Sequence, residues 1–524
     1  METDVIIVGA GPVGLMLAGE LRLGGVDVTV FERKAAPSGE SRGLGFTARA
    51  TEVFDQRGLF ARFANAELAR QGHFGGIPLD FGVFDGAHFT VRDVFQYQVE
   101  QMLEDWATKL GASIVRGHEM VGLDTLADSV VAEIDGPAGH YQAAAAYLVG
   151  CDGGRSKVRQ LAGFDFAGTD ATREMYLADV VGRHIRPRFI GERVPGGMAM
   201  SAPLKDGVDR IIVCENGTRP SDGQHKLAFS QVADAWQRLT GESLHGAETK
   251  WVSTFTDAAR QVTHYRRGRV LLAGDAAHIH LPAGGQGLSL GVQDAANLGW
   301  KLAATVSGRA PDGLLDTYHS ERHPVGARVL RNTLAQGTLY LSGKEIDPLR
   351  TVMGELVAIP DVARHLAGMV SGLDIRYDMD PSGGHPLVGA RMPNRELELP
   401  DGSRSRVAET LHAARGVLIS AGEPAEMGRG ADGWPGRVDV ITVSRFPLGT
   451  EDGPAGTDSV LIRPDGYVAW AAPGNGALAG ALHRWFGEPQ AIPATGAQRP
   501  SLPHRKPAQV GRYPVGEEQP CTAP

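Results

Sequence analysis

Cysteine is scarce in this chain: three residues, Cys151, Cys214 and Cys521, among 524. They form no CxxC pair and no metal-ligand spacing, which argues against a disulfide framework, a dithiol centre or a cysteine-held metal. The expected compartment is the cytoplasm, where thiols stay reduced. Long apolar runs are also missing. No stretch of about 18 apolar residues exists, so no transmembrane helix is expected. The first apolar run begins at Val5 without a basic segment before it and is needed as a strand, so it does not read as a signal peptide. Positive charge is not in excess either: the net charge is −9 and the pI near 6.0, which opposes nonspecific nucleic-acid binding. No repeat of fixed period occurs, and no Ser-His-Asp set or carboxylate pair stands out. His278-Ile279-His280 has a spacing seen in metal sites, but with no second ligand cluster it reads as packing, and no metal is expected.

What the chain does have is glycine, 70 residues of it, concentrated at informative places. Val5-Ile6-Ile7-Val8 reads as a buried parallel strand, and Gly9-Ala10-Gly11-Pro12-Val13-Gly14 follows it. Gly9 suits a tight turn, Gly11 a close approach of backbone to a pyrophosphate, and Gly14 close helix–strand packing. The amides opening a helix from Val13, at its positive dipole end, would hold a diphosphate. A second strand, Val26 to Phe31, ends in Glu32, placed to accept from ribose hydroxyls. An acid there, without an arginine-rich pocket for a 2′-phosphate, favours FAD or NAD over NADP. Two further segments pair a short apolar strand with a Gly/Asp turn: Tyr147-Leu148-Val149-Gly150-Cys151-Asp152-Gly153-Gly154 and Arg269-Val270-Leu271-Leu272-Ala273-Gly274-Asp275. The latter continues into Pro282-Ala283-Gly284-Gly285-Gln286-Gly287. A carboxylate at Asp275 suits the ribityl chain of FAD. A helix opening at Gly285–Gly287 would aim free amides at the flavin N1/C2 edge and stabilise the charge of reduced flavin. NAD proteins need no such element, so the expected cofactor is non-covalent FAD.

Taken together these stretches, with Gly39-Glu40-Ser41-Arg42-Gly43-Leu44-Gly45-Phe46, Gln71–Gly76, Asp294–Leu302 and Val460–Gly466, resemble the class A flavoprotein monooxygenases. The chain is most similar to the hydroxylases of aromatic polyketides, the angucyclinone and anthracycline type, from Val5 to about Pro489. The resemblance implies that Glu32 binds ribose with Arg33 beside it, and that Arg42 contacts the adenosine diphosphate half. It makes Gly43–Gly45 a mobile loop beside the isoalloxazine. Gln96 is placed near the ribityl chain, although Phe95 stands where the family usually has proline. Asp152 matches the DG-motif aspartate, Asp275 the ribityl-binding aspartate, and Pro282 the proline whose carbonyl lies near the oxygen site. The implied catalytic set is Pro282, Gly285 and Asp152. The implied cofactor set is Gly9, Gly11, Pro12, Val13, Gly14, Glu32, Arg33, Arg42, Gln96, Val121, Asp152, Asp275, Gly285, Gln286, Gly287 and Leu288. Ser289 stands where many relatives carry asparagine.

The resemblance and the placement of these segments predict an α/β fold with a discontinuous Rossmann-like FAD-binding domain of the aromatic hydroxylase type, over residues 1–70, 91–175 and 265–385. A strand-rich insertion over 71–90 and 176–264 would form the substrate-binding sheet. Residues 390–488 resemble a thioredoxin-like domain, which without CxxC serves packing or dimerisation, in a monomer or homodimer. Residues 489–524, rich in proline, read as a flexible tail.

The implied activity is NAD(P)H-consuming hydroxylation of a polycyclic aromatic polyketide through a flavin C4a-hydroperoxide formed with O₂, the hard chemistry being the cofactor's. NADPH or NADH would bind transiently, since FAD takes the one GxGxxG. His73, Phe74, Gly75, Tyr176 and Met200 are candidate substrate contacts, with Arg188 behind them. For His73 and Phe74 the plainer reading is a turn packed on the core. The walls around Gly76, Ile77, Gly196, Gly197 and Met198 look apolar with few ionic groups, which suits a flat multi-ring phenol better than a small benzoate. A flavin halogenase is disfavoured, since no two of the seven tryptophans lie two apart, as its Trp-x-Trp-x-Ile-Pro signature requires. A redox-regulatory flavin protein is disfavoured by the missing cysteine pair. An antibiotic-inactivating hydroxylase and a Baeyer–Villiger or epoxidising oxygenase remain alternatives.

Overall fold

The strand Glu2–Val8 is the centre of the largest sheet, and its aliphatic end, Val5 to Val8, is buried as an internal parallel strand must be. It pairs in parallel with Val28–Glu32 on one side and Gly139–Gly150 on the other. Ser113–Arg116 continues the sheet beyond Val28–Glu32, and Val270–Leu272 continues it beyond Gly139–Gly150, both in parallel. Consecutive parallel strands therefore lie on opposite sides of Glu2–Val8, so this strand marks the switch point where such sheets open a crevice at their carboxyl ends. The early part of Gly139–Gly150 pairs antiparallel with Val130–Gly136, which pairs with Glu119–Thr125. The computed structural model describes residues 2–490 except 38, 40, 42, 64–65, 85–89, 93, 221–226, 380–383, 422–429, 447–455 and 474–476. Arg42, one of the expected cofactor residues, and the tail from 491 fall outside the described residues.

Helix α1 (Pro12–Leu23) leaves the first strand with proline in its first turn, where the missing N–H costs nothing. Helix α2 (Gln96–Lys109) packs across it; a Cβ on Gly19 would overlap the Trp106 indole. The inserted sheet carries helix α3 (Phe229–Thr240). Helix α4 (Gln286–Val306) runs along α1 so closely that a Cβ on Gly299 would overlap Glu20. Helix α5 (Thr317–Leu341) runs on to the inserted sheet. Its last turn is held because Tyr340 and Leu341 pack against the inserted sheet. Helix α6 (Leu478–Phe486) closes the C-terminal part.

The inserted sheet is antiparallel, in the order Arg188–Val194, Gly197–Pro203, Val208–Glu215, Glu174–Val181, Thr249–Thr256. Successive side chains point to opposite faces, and both faces are covered differently. The outer face, with Ala178, Val180, Ala199, Ile211 and Val213, packs under α3 around Trp236. The inner face, with Met175, Met198 and Cys214, packs on Leu281 and Leu341. The hairpin of Gln71–Phe74 and Ile77–Asp80 rests on α5. Further on, Gly416–Ala421 pairs in parallel with Val438–Val443 and antiparallel with Ser459–Ile462, which pairs with Val468–Ala472. That strand order with a closing helix is a thioredoxin-like arrangement, and its core of Trp434, Trp470, Trp485 and Phe486 also takes in Trp300 of α4.

Candidate active site

Strand register brings the three Gly/Asp segments together. Val8 stands opposite Gly150, and Gly150 opposite Leu272, so the turns after all three strands open side by side at the crevice. Backbone hydrogen bonds stitch them: Gly9 N–H to Phe31 O at 2.8 Å, Cys151 N–H to Val8 O at 2.8 Å, Ala273 N–H to Gly150 O at 3.0 Å. Gly9 sits at φ +106°, and a Cβ there would come within 2.5 Å of the Cys151 carbonyl oxygen. A Cβ on Gly14 would overlap Gly9 O, whereas one on Gly11 meets nothing within 4 Å. The glycine nearest the expected diphosphate thus faces open space, while its two neighbours are closed by protein. Pro12 is buried behind the turn, and the half-buried Val13 lodges in a notch made by Gly274 and Gly291, locking the first segment to the third.

At one end of the cradle, the Glu32 carboxylate accepts from Ala10 N–H and Lys34 N–H, both at 2.9 Å, which fixes it at the strand end. Arg33 beside it is exposed, and Val121 lies half-buried on the strand after His118, whose amide bonds Glu32 O. Gln96 opens α2 with its amide on Ser41 Oγ at 2.6 Å and its side-chain amide on Glu100 at 2.8 Å. It adjoins Gly43, so the expected loop and glutamine are neighbours. Ser289 Oγ accepts from Thr47 N–H at 2.9 Å, holding the end of that loop against α4.

Asp152 Oδ2 accepts from Lys157 N–H and Val158 N–H at 2.6 and 3.1 Å, while its Oδ1 is buried without a partner. Burial raises this carboxyl above the ordinary aspartate value, against the pull of those hydrogen bonds. Asp275 is exposed and makes no hydrogen bond among the described residues. The exposed Pro282, Gly284 at φ +71° and Gly285 at φ +66° lead into α4; Pro282 O accepts from Gly285 N–H at 3.2 Å. Two successive left-handed residues turn the chain so that α4 starts with an open end; Gly285, its N-cap, contributes no side-chain cap. Gln286 is spoken for by protein, donating to Ala283 O and accepting from Asn332. Gly287 and Leu288 stay half-buried at the rim. An open face at Gly11, an uncommitted carboxylate at Asp275, an orphaned oxygen on Asp152 and an uncapped helix start fit a long dinucleotide with a polyol in the middle, as FAD has.

Sequence reasoning assigned no role to the buried cluster behind the Gly274-Asp275 turn. Asp294 accepts from Gly274 N–H (3.2 Å), His278 Nε2 (2.7 Å) and Arg322 Nε (2.7 Å), and Arg322 also donates to Tyr377. Burial alone would raise the Asp294 carboxyl, but Arg322 and His278 outweigh it and hold the group below the usual value. The cluster positions the turn that carries Asp275. Its signal was the run of polar residues Gln293, Asp294, Asn297 and Lys301 in a helix that is otherwise largely apolar and buried. His278 belongs to this cluster, and His280 Nδ1 donates to Leu281 O.

The expected substrate contacts divide by sheet parity. Met200 is on the inner face beside Ile212 and Phe255, in the cluster that includes Ala283 from the loop before α4. Tyr176 is on the outer face among residues packed under α3, and Arg188 lies over the Trp236 ring there; the structure does not bring either to the crevice. Phe74 is core, 5% exposed, and Gly75 is clamped, its amide on Gln336 and its carbonyl on Arg350. His73 stacks on Tyr340 with ring planes 8° apart. The wall is also less free of charge than the sequence suggested. Arg210 and Asp179 form a two-pronged pair on the inner face, at 2.7 and 2.8 Å, with Arg210 over Trp251.

Comparison with known proteins agrees with this geometry. A family model described as FAD binding domain matches residues 2–333, and one described as aromatic-ring hydroxylase, C-terminal, matches 385–489. The chain is 44% identical to the 12-dehydrotetracycline 5-monooxygenase/anhydrotetracycline 6-monooxygenase of Streptomyces rimosus, over 93% of this chain and all of that one. It is 42% identical to a rifampicin monooxygenase of Streptomyces venezuelae, covering 92% of this chain and 98% of that one. The crystal structure of CabE, an aromatic hydroxylase from angucycline biosynthesis, superposes with a TM-score of 0.90 at 58% identity, over 94% of this chain and 100% of CabE.

Proposed function

Since the chain belongs to the FAD-binding aromatic-ring hydroxylases and is a flavin-dependent aromatic monooxygenase, we propose that it hydroxylates a flat, polycyclic aromatic polyketide of the angucyclinone type in antibiotic biosynthesis. NADPH or NADH is the transient reductant and O₂ the oxidant in this reading. When bound, FAD supplies the electron transfer from nicotinamide and the activation of O₂. The residues of the chain bind, orient and shield. Glu32 and Asp275 offer carboxylates to the hydroxyls of the adenosine and ribityl halves, and the open first turn of α1 offers amides to the diphosphate. The start of α4 at Gly287 and Leu288 offers a positive dipole end where negative charge gathers. Pro282 and Gly285 line the same turn, and Asp152 follows the end of the neighbouring strand Gly139–Gly150.

The observation that carries the substrate reading is the contact between the loop before α4 and the inner face of the inserted sheet. Leu281 and Ala283 share one apolar cluster with Met200, Ile212 and Phe255, so a ring seated against that face lies beside the flavin turn and out of water. Arg210 on that wall already has its carboxylate in Asp179, and Arg193, opposite Met198 on the same face, has Asp347. Neither is free to clamp a small benzoate. Offered a benz[a]anthraquinone phenol, a tetracyclic naphthacene, rifampicin and 4-hydroxybenzoate under NADPH and O₂, the enzyme is expected to add one oxygen atom to the benz[a]anthraquinone with tight coupling. Coupled hydroxylation of 4-hydroxybenzoate alone overturns the reading. Oxidation of rifampicin alone would turn it to the inactivating alternative.

Sheet parity gives a sharper check. Phe255→Ala is expected to raise KM about tenfold or more, because burying a phenyl against substrate contributes about 1.5–3 kcal/mol. Tyr176→Phe, on the far face, is expected to leave kcat/KM within about twofold. Steady-state kinetics on both variants decides; a larger effect at Tyr176 would reverse the assignment of faces.

A further inference from the structure

A second cavity, separate from the flavin cradle, lies where the C-terminal ends of α1 and α4 meet the thioredoxin-like part. It encloses about 330 Å³ and is lined by Leu23, Trp300, Ala303, Pro464, Trp485 and Phe486, with Glu20, Arg309, Arg415 and Arg437 among the remaining wall residues. Trp300 is 14 residues along α4 from Gln286, about 20 Å at 1.5 Å per residue.

Its charges do not cancel. Glu20 is fully engaged by Arg57, with contacts of 2.6 and 3.0 Å, and Arg415 by Asp439 at 2.8 Å. Arg437 donates only to backbone carbonyls, Phe486 O at 2.6 Å, Glu488 O at 2.8 Å and Gly433 O at 3.4 Å, and its Nε is buried without a partner. Arg309 donates to Ser307 Oγ and Gly24 O. Among the described residues neither guanidinium meets a carboxylate. Burial and the nearby Arg309 both lower the Arg437 pKa, so the two cations repel each other in a partly dry setting. An aromatic wall and two guanidinium groups with no carboxylate partner form a polar–apolar combination that packing alone does not call for.

We propose that this cavity is a binding site for a planar aromatic monoanion of two or three fused rings, its carboxylate held between Arg309 and Arg437 and its rings against Trp300, Trp485 and Phe486. The volume is at the lower end of ligand sites, which fits such a molecule and excludes a tetracyclic polyketide with its substituents.

The test is equilibrium dialysis of the FAD-loaded enzyme with 9-anthracenecarboxylate and, in parallel, its neutral carboxamide. One carboxylate per chain is expected, held at least tenfold more tightly than the carboxamide, with the advantage shrinking at high salt. Arg309→Gln, on the exposed rim, should weaken the carboxylate several-fold, and the Arg309→Gln/Arg437→Gln pair at least tenfold. Phe255→Ala in the substrate wall should leave binding unchanged. The proposal fails if the holoenzyme shows no saturable uptake, if carboxamide and carboxylate bind alike, or if Phe255→Ala abolishes binding while Arg309→Gln does not. The carboxylate–carboxamide comparison on the parent protein decides the matter even if the double variant does not fold.

Discussion

Asp275→Ala is expected to weaken FAD binding roughly ten- to a hundred-and-fifty-fold while leaving the apoprotein as stable as the parent. The side chain is exposed and makes no hydrogen bond to the described protein, so the folded chain loses no hydrogen bond when it is removed. In the flavin-loaded enzyme the carboxylate would accept from a ribityl hydroxyl, and a charge-assisted bond contributes about 1.5–3 kcal/mol. Equilibrium dialysis of FAD and thermal unfolding of the apoprotein, measured side by side, check both halves. Unchanged FAD affinity would remove Asp275 from the cofactor site. An equal loss of apoprotein stability would make it a structural residue instead. Asp294→Asn gives the contrasting pattern: it leaves Arg322 without its carboxylate, so loss of FAD there should come with loss of stability.

The cradle was legible because its signals are local. Each segment carries its own strand, glycine turn and acid, and the parallel pairing of Val8, Gly150 and Leu272 needs only that three such strands lie together. FAD followed from Asp275 and the Gly284-Gly285 turn, whose left-handed backbone is written in two glycines. The proposed substrate wall was not legible in the same way. Met198 and Met200 on one strand face the flavin loop and Ala199 between them faces α3. Which set turns inward depends on where the strand begins and what covers each face, and a shift of one residue exchanges them. Tyr176 and Met200 therefore looked alike in sequence and ended on opposite sides. Phe74 and Gly75 were drawn toward the crevice by their neighbouring glycines, yet those glycines serve the contact with α5, where a Cβ on Gly75 would come within 2.7 Å of Leu339 Cβ. The Asp179–Arg210 pair escaped notice because its members lie 31 residues apart and meet only through strand register.

Longest in range, and least visible in sequence, is the buried ionic network joining the thioredoxin-like part to the flavin helices. Arg463 donates to Glu321 at 2.7 and 2.8 Å and to Asp465, while Lys301 reaches the same Glu321 carboxylate at 2.8 Å and Asn297 binds both acids. Arg463→Met is expected to lower the unfolding free energy by about 3–5 kcal/mol, because two buried acids are then left with a single lysine. Arg415→Met, at a half-exposed pair, should cost less than about 1 kcal/mol. The pH dependence tests the cause. Burial would raise the Glu321 carboxyl, but Arg463 and Lys301 outweigh it and hold it well below its ordinary 4.5. Its stabilisation is therefore present above about pH 4.5 and is lost as the pH falls. The gap between parent and Arg463→Met should narrow in acid for that reason. Lys301 titrates the other way: burial lowers it from 10.5 to about 8 despite Glu321. Between pH 8 and 10.5 the unfolded chain holds this proton and the folded one does not, so the lysine contributes a rise in stability across that window. Lys301→Met should flatten that rise. Denaturant unfolding of the parent and both variants from pH 3.5 to 10.5 measures all three trends, and a parent–variant gap that stayed constant in acid would show that Arg463 acts through packing on Trp300 and Trp485 and not through its charge.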